Sequence, residues 1–141
     1  MSSNWSFAIC FFGFGSQLKA QISYDSSFVV QVTDSLFSGQ KEAKILQLVV
    51  ELSGNNTDST KLKDIIFATR GTGKRSDILN ASLFYLDSNS MLSQALKSDD
   101  KIGDLAFPKA TGNSFNDSLY LKPGTHHFIL TYDLDYSIDV N

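Results

Sequence analysis

The sequence is poor in several residue types on which common kinds of functional site depend. It contains one cysteine, Cys10, which excludes an internal disulfide and a metal site built from several cysteines. Arginine occurs only at positions 70 and 75, too few for a cluster of arginines that would recognise phosphate groups. The net charge is −3 and the lysines are scattered, whereas nucleic-acid-binding domains usually carry a basic face. We therefore expect neither a nucleic-acid partner nor a cofactor.

Long hydrophobic runs are also missing. The longest covers residues 6–15 (SFAICFFGFG), whereas a helix that crosses a bilayer needs about 20 apolar residues. We therefore expect no transmembrane segment. The length of the run fits the apolar part of a signal peptide, and Ala20 fits a cleavage site, so residues 1–20 are predicted to be a signal peptide and the protein to be secreted or held at the cell surface. The alternative is an ordinary first strand.

What the sequence does contain is alternation of apolar and polar residues, the pattern of a half-buried β-strand. It is clearest in residues 44–54, where Gln47 and Glu51 fall on the face opposite to that of Leu46, Leu48, Val50 and Leu52. Residues 77–87 carry apolar side chains on both faces, which predicts a central strand. Further strands are predicted at residues 27–33, 62–69, 113–121 and 126–134, with a short edge strand at 105–107 after a charged loop at 98–103.

This organisation predicts an all-β fold, a two-sheet antiparallel β-sandwich that is jelly-roll-like, over residues 21–141. No linker rich in proline, glycine or serine divides that range, so it should form a single domain. Residues 133–141 still read as a strand, so we expect the natural domain to continue beyond Asn141.

Sequence motifs for catalysis are missing as well. Residues 71–74 (GTGK) lack the G-x-x-x-x-G-K-[ST] spacing of a phosphate-binding loop, and a strand rather than a helix follows them, which favours a hairpin loop. Asp99 and Asp100 are adjacent in a loop and do not indicate a pair of carboxylates facing each other across a cleft. There is no G-x-S-x-G motif around any serine. The chain itself is therefore predicted not to be an enzyme.

The histidines and aspartates predict no metal site. His126 and His127 are adjacent in a predicted strand, so they should point to opposite faces and not share an ion. Oxygen ligands for Ca²⁺ could come from Asp133, Asp135 and Asp139, but the glycine that a calcium loop uses for its tight turn is missing. A solvated strand edge is the favoured interpretation of these three carboxylates.

Tyrosines are the candidates for ligand binding, because sugars pack their C–H faces on exposed aromatic rings. Tyr85, Tyr120, Tyr132 and Tyr136 have such rings, and Tyr85, Tyr120 and Tyr132 are the candidates for the site. Trp5 lies in the predicted leader, so the residue type best suited to sugar stacking is missing from the mature domain.

Three segments together resemble a known family. Residues 77–85 (DILNASLFY) resemble the pattern D-I-x-N-A-x-[IVL]-[FY]-Y, which is the most specific of the three matches. Residues 62–72 (LKDIIFATRGT) resemble an L-T-x-I-x-F strand, and residues 121–128 (LKPGTHHF) resemble an L-x-x-G-x-N-Y-F turn and strand with histidines in place of Asn-Tyr. Over residues 28–141 the chain resembles the N-terminal domain associated with bacterial BNR-repeat neuraminidases (sialidases).

The resemblance implies a jelly-roll β-sandwich in an exported, glycan-processing protein. It implies a non-catalytic accessory role, with a glycan or the neighbouring domains of the parent protein as partners. It does not imply sialidase activity for this chain, because a sialidase active site needs three arginines to bind the substrate carboxylate and this chain has two. The alternative is a structural or adhesion module of a bacterial cell-surface protein without an attached enzyme.

Overall fold

A computed structural model describes residues 11–14, 22–32, 36–55, 57–69, 77–86, 95–116 and 119–135 of the chain. The regular secondary structure of these residues is nearly all strand, with a short 3₁₀ helix at Ser98–Asp100. No helix within these ranges is long and apolar enough to cross a membrane. The strands are β1 (Phe11–Phe14), β2 (Ser23–Gln31), β3 (Ala43–Ser53), β4 (Thr60–Phe67), β5 (Ile78–Leu86), β6 (Lys101–Ala106), β7 (Asn113–Phe115), β8 (Leu119–Leu121) and β9 (Gly124–Leu134).

The strands form two antiparallel sheets. The larger sheet has the order β2-β3-β9-β5-β6, and the smaller has the order β1-β4-β7 with β8 also paired to β4. The two long strands β3 and β9 lie side by side, with Leu48 opposite Phe128. Strand β5 lies between β9 and β6, so the prediction of a central strand at residues 77–87 is confirmed.

The core lies between the two sheets. The larger sheet contributes the alternating leucines and valines of β3, and Phe128, Leu130 and Tyr132 of β9. The smaller sheet contributes Leu62, Ile65, Phe67, Phe115 and Leu121. Burying apolar side chains of this size stabilises the fold by about 1.5–3 kcal/mol each. The predicted all-β sandwich is therefore confirmed, whereas the finer jelly-roll assignment stays a prediction.

The outer face of the larger sheet is also buried at its centre. Phe84 and Leu86 of β5 pack with Ile129 of β9, and Leu96 packs against this second cluster. Gln47, on the same outer face of β3, is buried as well. The alternation in β3 predicts that this face is polar and exposed to solvent. The face is buried instead, because β3 lies inside a sheet that is covered on both sides, where polar side chains are buried as well.

Two segments differ from the strands predicted for them. Strand β6 begins at Lys101, inside the predicted charged loop, because Lys101 and Asp104 point outward from an edge strand and need no apolar partner. The single strand predicted at residues 113–121 is divided into β7 and β8, which pair with different parts of β4. Both differences arise from edge positions, where alternation is a poor guide to pairing.

Strand β1 falls inside the predicted signal peptide. Residues 11–14 pair with β4, with Phe12 opposite Ile65, as the alternative of an ordinary first strand would have them. The leader over residues 1–20 stays a prediction, since the rest of it lies outside the described residues.

Candidate functional site

His126 lies on the inner side of β9 and is held by two hydrogen bonds. Its Nε2 is 2.6 Å from the carbonyl oxygen of Lys122, which can only accept, so Nε2 carries the proton. In the neutral ring Nδ1 is then an acceptor, and the hydroxyl of Tyr85 donates to it over 2.7 Å. The two rings also stack, with centroids 5.8 Å apart. This pair ties β5 to β9 and to the turn before β9.

His127 points to the other face of the sheet, as the alternation predicted. Its Nδ1 lies 2.7 Å from Nε2 of Gln47, which donates to it across the β3–β9 pairing. Asp133 is an odd-numbered position of the same uninterrupted strand, so it shares the face of His127 and not that of His126. The strand therefore keeps His126 and Asp133 on opposite faces of the sheet, which excludes a catalytic dyad between them.

Two of the three aspartates considered as Ca²⁺ ligands have structural partners of other kinds. Oδ1 of Asp133 accepts a 2.8 Å hydrogen bond from the backbone N–H of Glu42, which has a left-handed φ of 51° at the start of β3. Asp135 joins the ladder through its backbone, donating to the carbonyl of Asp77. Asp139 lies outside the described residues. Within the described part of the chain, no three His, Cys, Asp or Glu side chains are grouped so that they could hold a metal ion.

A polar group that the sequence did not predict lies on the outer face of β5 and β6. We call Asn80, Ser82, Lys101, Asp104 and Glu42 the β6-edge cluster. Ser82 is buried, and its hydroxyl donates to Oδ1 of Asp104 over 2.5 Å. Asn80 donates to both Ser82 and Asp104, at 3.1 and 3.2 Å. Nζ of Lys101 lies 3.5 Å from Asp104 and 3.4 Å from Glu42.

The electrostatics of this cluster follow from those contacts. The hydroxyl of Ser82 first of all, then Asn80 and Lys101, lower the pKa of Asp104 against the opposing effect of partial burial. Partial burial by itself would lower the pKa of Lys101, but the carboxylates of Asp104 and Glu42 outweigh it and raise that pKa. The ammonium also lies 5.6 Å from the ring centroid of Phe84, within the range of a cation–π contact. Both charges are therefore stabilised in their ionised forms.

The cluster is an arrangement that stabilises the edge of the sheet and is not a nucleophilic site. The hydroxyl proton of Ser82 is directed at Asp104, as a nucleophile's would be towards a base, but the serine is 2 % exposed and a substrate cannot reach its oxygen. In the sequence, Lys101 falls inside the charged loop predicted at residues 98–103, and Asp104 lies between that loop and the strand predicted at 105–107. Its partners on β5 are brought opposite only by the strand register, with Ser82 facing Asp104.

Replacing Asp104 by alanine is expected to lower the free energy of unfolding by about 1–2 kcal/mol at neutral pH, because the buried Ser82 hydroxyl loses its acceptor. Asp104→Asn keeps an acceptor and removes only the charge. Since the carboxylate side chain is 54 % exposed, solvent screens the charge and the loss should stay below about 1 kcal/mol.

The pH dependence checks the same contact. The pKa of Asp104 is lowered on folding, so its ionised form stabilises the protein above the ordinary carboxyl pKa near 4, and this stabilisation is lost as pH falls through the lowered value. The difference in the free energy of unfolding between the natural protein and the Asp104→Asn variant should therefore become smaller below about pH 4. Denaturant unfolding at a series of pH values measures this difference. A difference that does not change with pH would show that the charge of Asp104 does not contribute to the free energy of unfolding.

The three candidate tyrosines lie in different environments. Tyr132 is 1 % exposed and packs in the core. Tyr85 is partly buried, against His126 and Phe128. Tyr120 is 60 % exposed on the outer face of the smaller sheet, where β8 places it directly opposite Lys61 of β4. Of the three, Tyr120 presents its ring to solvent.

A positive side chain accompanies that ring. Side chains directly opposite each other in an antiparallel pair have Cβ atoms about 5 Å apart, so Lys61 and Tyr120 start next to each other on that face. A ring for apolar contact and a cation for a carboxylate or hydroxyl are the two elements with which a shallow surface can hold an acidic sugar.

A scan against protein-family models, a search of curated proteins and a search of solved structures each find no match for the chain.

Proposed function

We propose that the chain is a non-catalytic accessory domain of an exported, glycan-processing protein, with a glycan or a neighbouring domain of that protein as its partner. The side chains with reactive chemistry support this role. The hydroxyl of Ser82 and the imidazole of His126 are buried and hydrogen-bonded to groups that stabilise the sandwich. The resemblance of residues 77–85 to the sialidase-associated domain points in the same direction.

The exposed Tyr120 beside Lys61 is the observation that carries the proposal. The ring offers an apolar face to the C–H groups of a sugar, and Lys61 offers a hydrogen-bond donor of positive charge. An acidic sugar, whose carboxylate the lysine can pair with, should therefore bind better than a neutral sugar. A flat, exposed surface of this kind orders few groups and excludes little water, so the affinity should be low, with a Kd of about 1 mM.

We expect Tyr120→Ala to weaken binding of N-acetylneuraminic acid at least about fivefold, since one aromatic contact contributes about 1 kcal/mol. A glycan array first identifies the acidic and neutral sugars to be compared. Each sugar is then titrated into the protein, and binding is followed by the NMR chemical shifts of the protein. Lys61→Gln should weaken binding of the acidic sugar while leaving a neutral sugar unaffected. Phe107→Ala is the matched control, because Phe107 is also an exposed aromatic but lies on the loop after β6.

Three outcomes would each contradict a part of the proposal. Binding that is unchanged by Tyr120→Ala would place the sugar elsewhere, and no binding at about 10 mM sugar would leave only the role of positioning a neighbouring domain. Sialidase activity of the isolated chain on a fluorogenic substrate would refute the non-catalytic role itself.

A structural or adhesion module of a cell-surface protein is the second candidate, and the exposed strand β2 favours it. This strand lies at the end of the larger sheet and carries the exposed side chains of Tyr24, Phe28, Val29 and Val30. Any coding sequence downstream of Asn141 would help to separate the two candidates. S-x-D-x-G-x-x-W boxes would support an attached sialidase, and repeated sandwich domains or a sorting tail would support adhesion.

A further inference from the structure

Strand β2 is an edge strand with apolar side chains in solvent. Among the described residues it pairs with β3 alone. Phe28, Val29 and Val30 are 52 %, 45 % and 38 % exposed, and these consecutive residues cover both faces of the strand. An edge strand of this kind is a template for pairing with another chain.

The backbone groups available for such pairing can be identified from the register. The N–H of Val32 donates to the carbonyl of Ile45 over 3.0 Å. Along an antiparallel strand the N–H and C=O groups of alternate residues point to the same neighbour, and the β2–β3 register runs without a shift from Ser26 to Gln31. The backbone groups of Phe28 and Val30 therefore face β3, and those of Ser27, Val29 and Gln31 face away from it.

The features that usually protect an edge strand are confined to the first part of β2. A register shift lies between Tyr24 and Ser26, and the carboxylate of Asp25 accepts a 2.6 Å hydrogen bond from Ser53. From residue 26 to residue 32 the sequence is SSFVVQV, with no charge, proline or glycine. At the opposite edge of the same sheet, β6 carries the ion pair of Lys101 with Asp104. The two edges are thus protected unequally.

We propose that β2 pairs with β2 of a second copy of this chain, antiparallel about a two-fold axis at Val29. In that register Val29 lies opposite itself, Phe28 lies opposite Val30, and Ser27 lies opposite Gln31. The outward backbone groups of Ser27, Val29 and Gln31 then face the same groups of the partner, and they form the ladder between the copies.

Charge and side-chain pairing favour a second copy as the occupant. Two identical strands of a charged sequence would place like charges near each other, but residues 26–32 carry none, so pairing of these residues with each other brings no like-charge repulsion. Aromatic and β-branched residues, which pair well across strands, meet in the contacts of Phe28 with Val30. The two larger sheets become one continuous sheet, and the charged β6 edge at each end stops further growth. This association is independent of the proposed glycan binding.

The test is the oligomeric state of the full chain by sedimentation velocity from about 1 µM to about 100 µM, a range suited to a modest interface. A monomer–dimer equilibrium is expected. Val29→Lys places two charges next to each other at the axis and should raise the dimer Kd at least about tenfold. Ile66→Lys is the matched control, because Ile66 is an exposed apolar residue of the smaller sheet and its replacement should leave the Kd unchanged.

A pair of proline variants checks which backbone groups are involved. Val29→Pro removes an N–H that faces the partner, so the variant should be monomeric with a circular dichroism spectrum and melting temperature near those of the natural chain. Val30→Pro removes an N–H that faces β3 and should lower the melting temperature clearly. A chain that is monomeric up to about 100 µM, a dimer that survives both Val29 variants, or open-ended association instead of a closed dimer would each overturn the proposal.

Discussion

Replacing Asn113 by alanine is expected to lower the free energy of unfolding by about 2–3 kcal/mol, because one buried side chain satisfies several backbone groups. Its Nδ2 donates to the carbonyl oxygens of Lys109, at 2.6 Å, and Phe67, at 3.2 Å. Its Oδ1 accepts from the N–H of Lys109 at 2.6 Å. Alanine leaves the N–H of Lys109 without this acceptor in a site where Asn113 is buried, and the loop between β6 and β7 is then held beside the end of β4 by the hydrogen bonds of Thr69 to Lys109 and Ala110.

The neighbouring residue provides the matched control. The hydroxyl of Ser114 donates an exposed hydrogen bond to Asn116, so Ser114→Ala should change the free energy of unfolding by no more than about 0.5 kcal/mol. Asn113→Asp has nearly the same shape but replaces the donor with an oxygen facing two carbonyls. The Asn113→Asp variant should have a much lower free energy of unfolding than the natural protein at pH 7. Part of this loss should be regained below about pH 4, where a protonated carboxyl can donate a hydrogen bond. Denaturant unfolding measures all three variants, and equal losses for Asn113→Ala and Ser114→Ala would contradict this account.

Replacing Gly103 by alanine is expected to destabilise the protein by about 1–3 kcal/mol through overpacking. A Cβ atom on Gly103 would lie 2.5 Å from Cδ1 of Phe115, which is closer than two non-bonded carbon atoms can approach. The ring of Phe115 is buried and stacked on Phe67, with centroids 5.2 Å apart, so it has little room to move. The φ of Gly103 is not in the left-handed region, so the effect is one of space and not of backbone strain.

A double-mutant cycle separates this clash from a general loss of stability. Phe115→Leu shortens the side chain that the new methyl group meets, so the double variant should lose less stability than the sum of the two single variants, by at least about 0.5 kcal/mol. Thermal or denaturant unfolding of the four proteins gives the coupling energy. Additive losses would show that the alanine at position 103 does not meet the Phe115 ring.

The candidate site could be predicted from the sequence only in its residue types. The tyrosines were singled out by the chemistry of their rings, but alternation places Tyr85, Tyr120 and Tyr132 on strands without indicating which faces of those strands are covered. The exposure of Tyr120 follows from its place on β8, a short strand that pairs with the first three residues of β4. The β6-edge cluster was missed because its serine and its carboxylate lie on different strands.

What the sequence determined by itself is the set of strands and the alternation of their faces. A period of two residues is a local property, so the central strand at residues 77–87 and the opposite directions of His126 and His127 could be predicted without knowledge of the partners. The tertiary structure decided which strand lies beside which, and therefore which polar groups meet. The proton on Nε2 of His126, the lowered pKa of Asp104 and the steric requirement for Gly103 all depend on atoms that the chain brings together from distant positions. Strand register is set by the packing of both sheets at once, and no local pattern contains it.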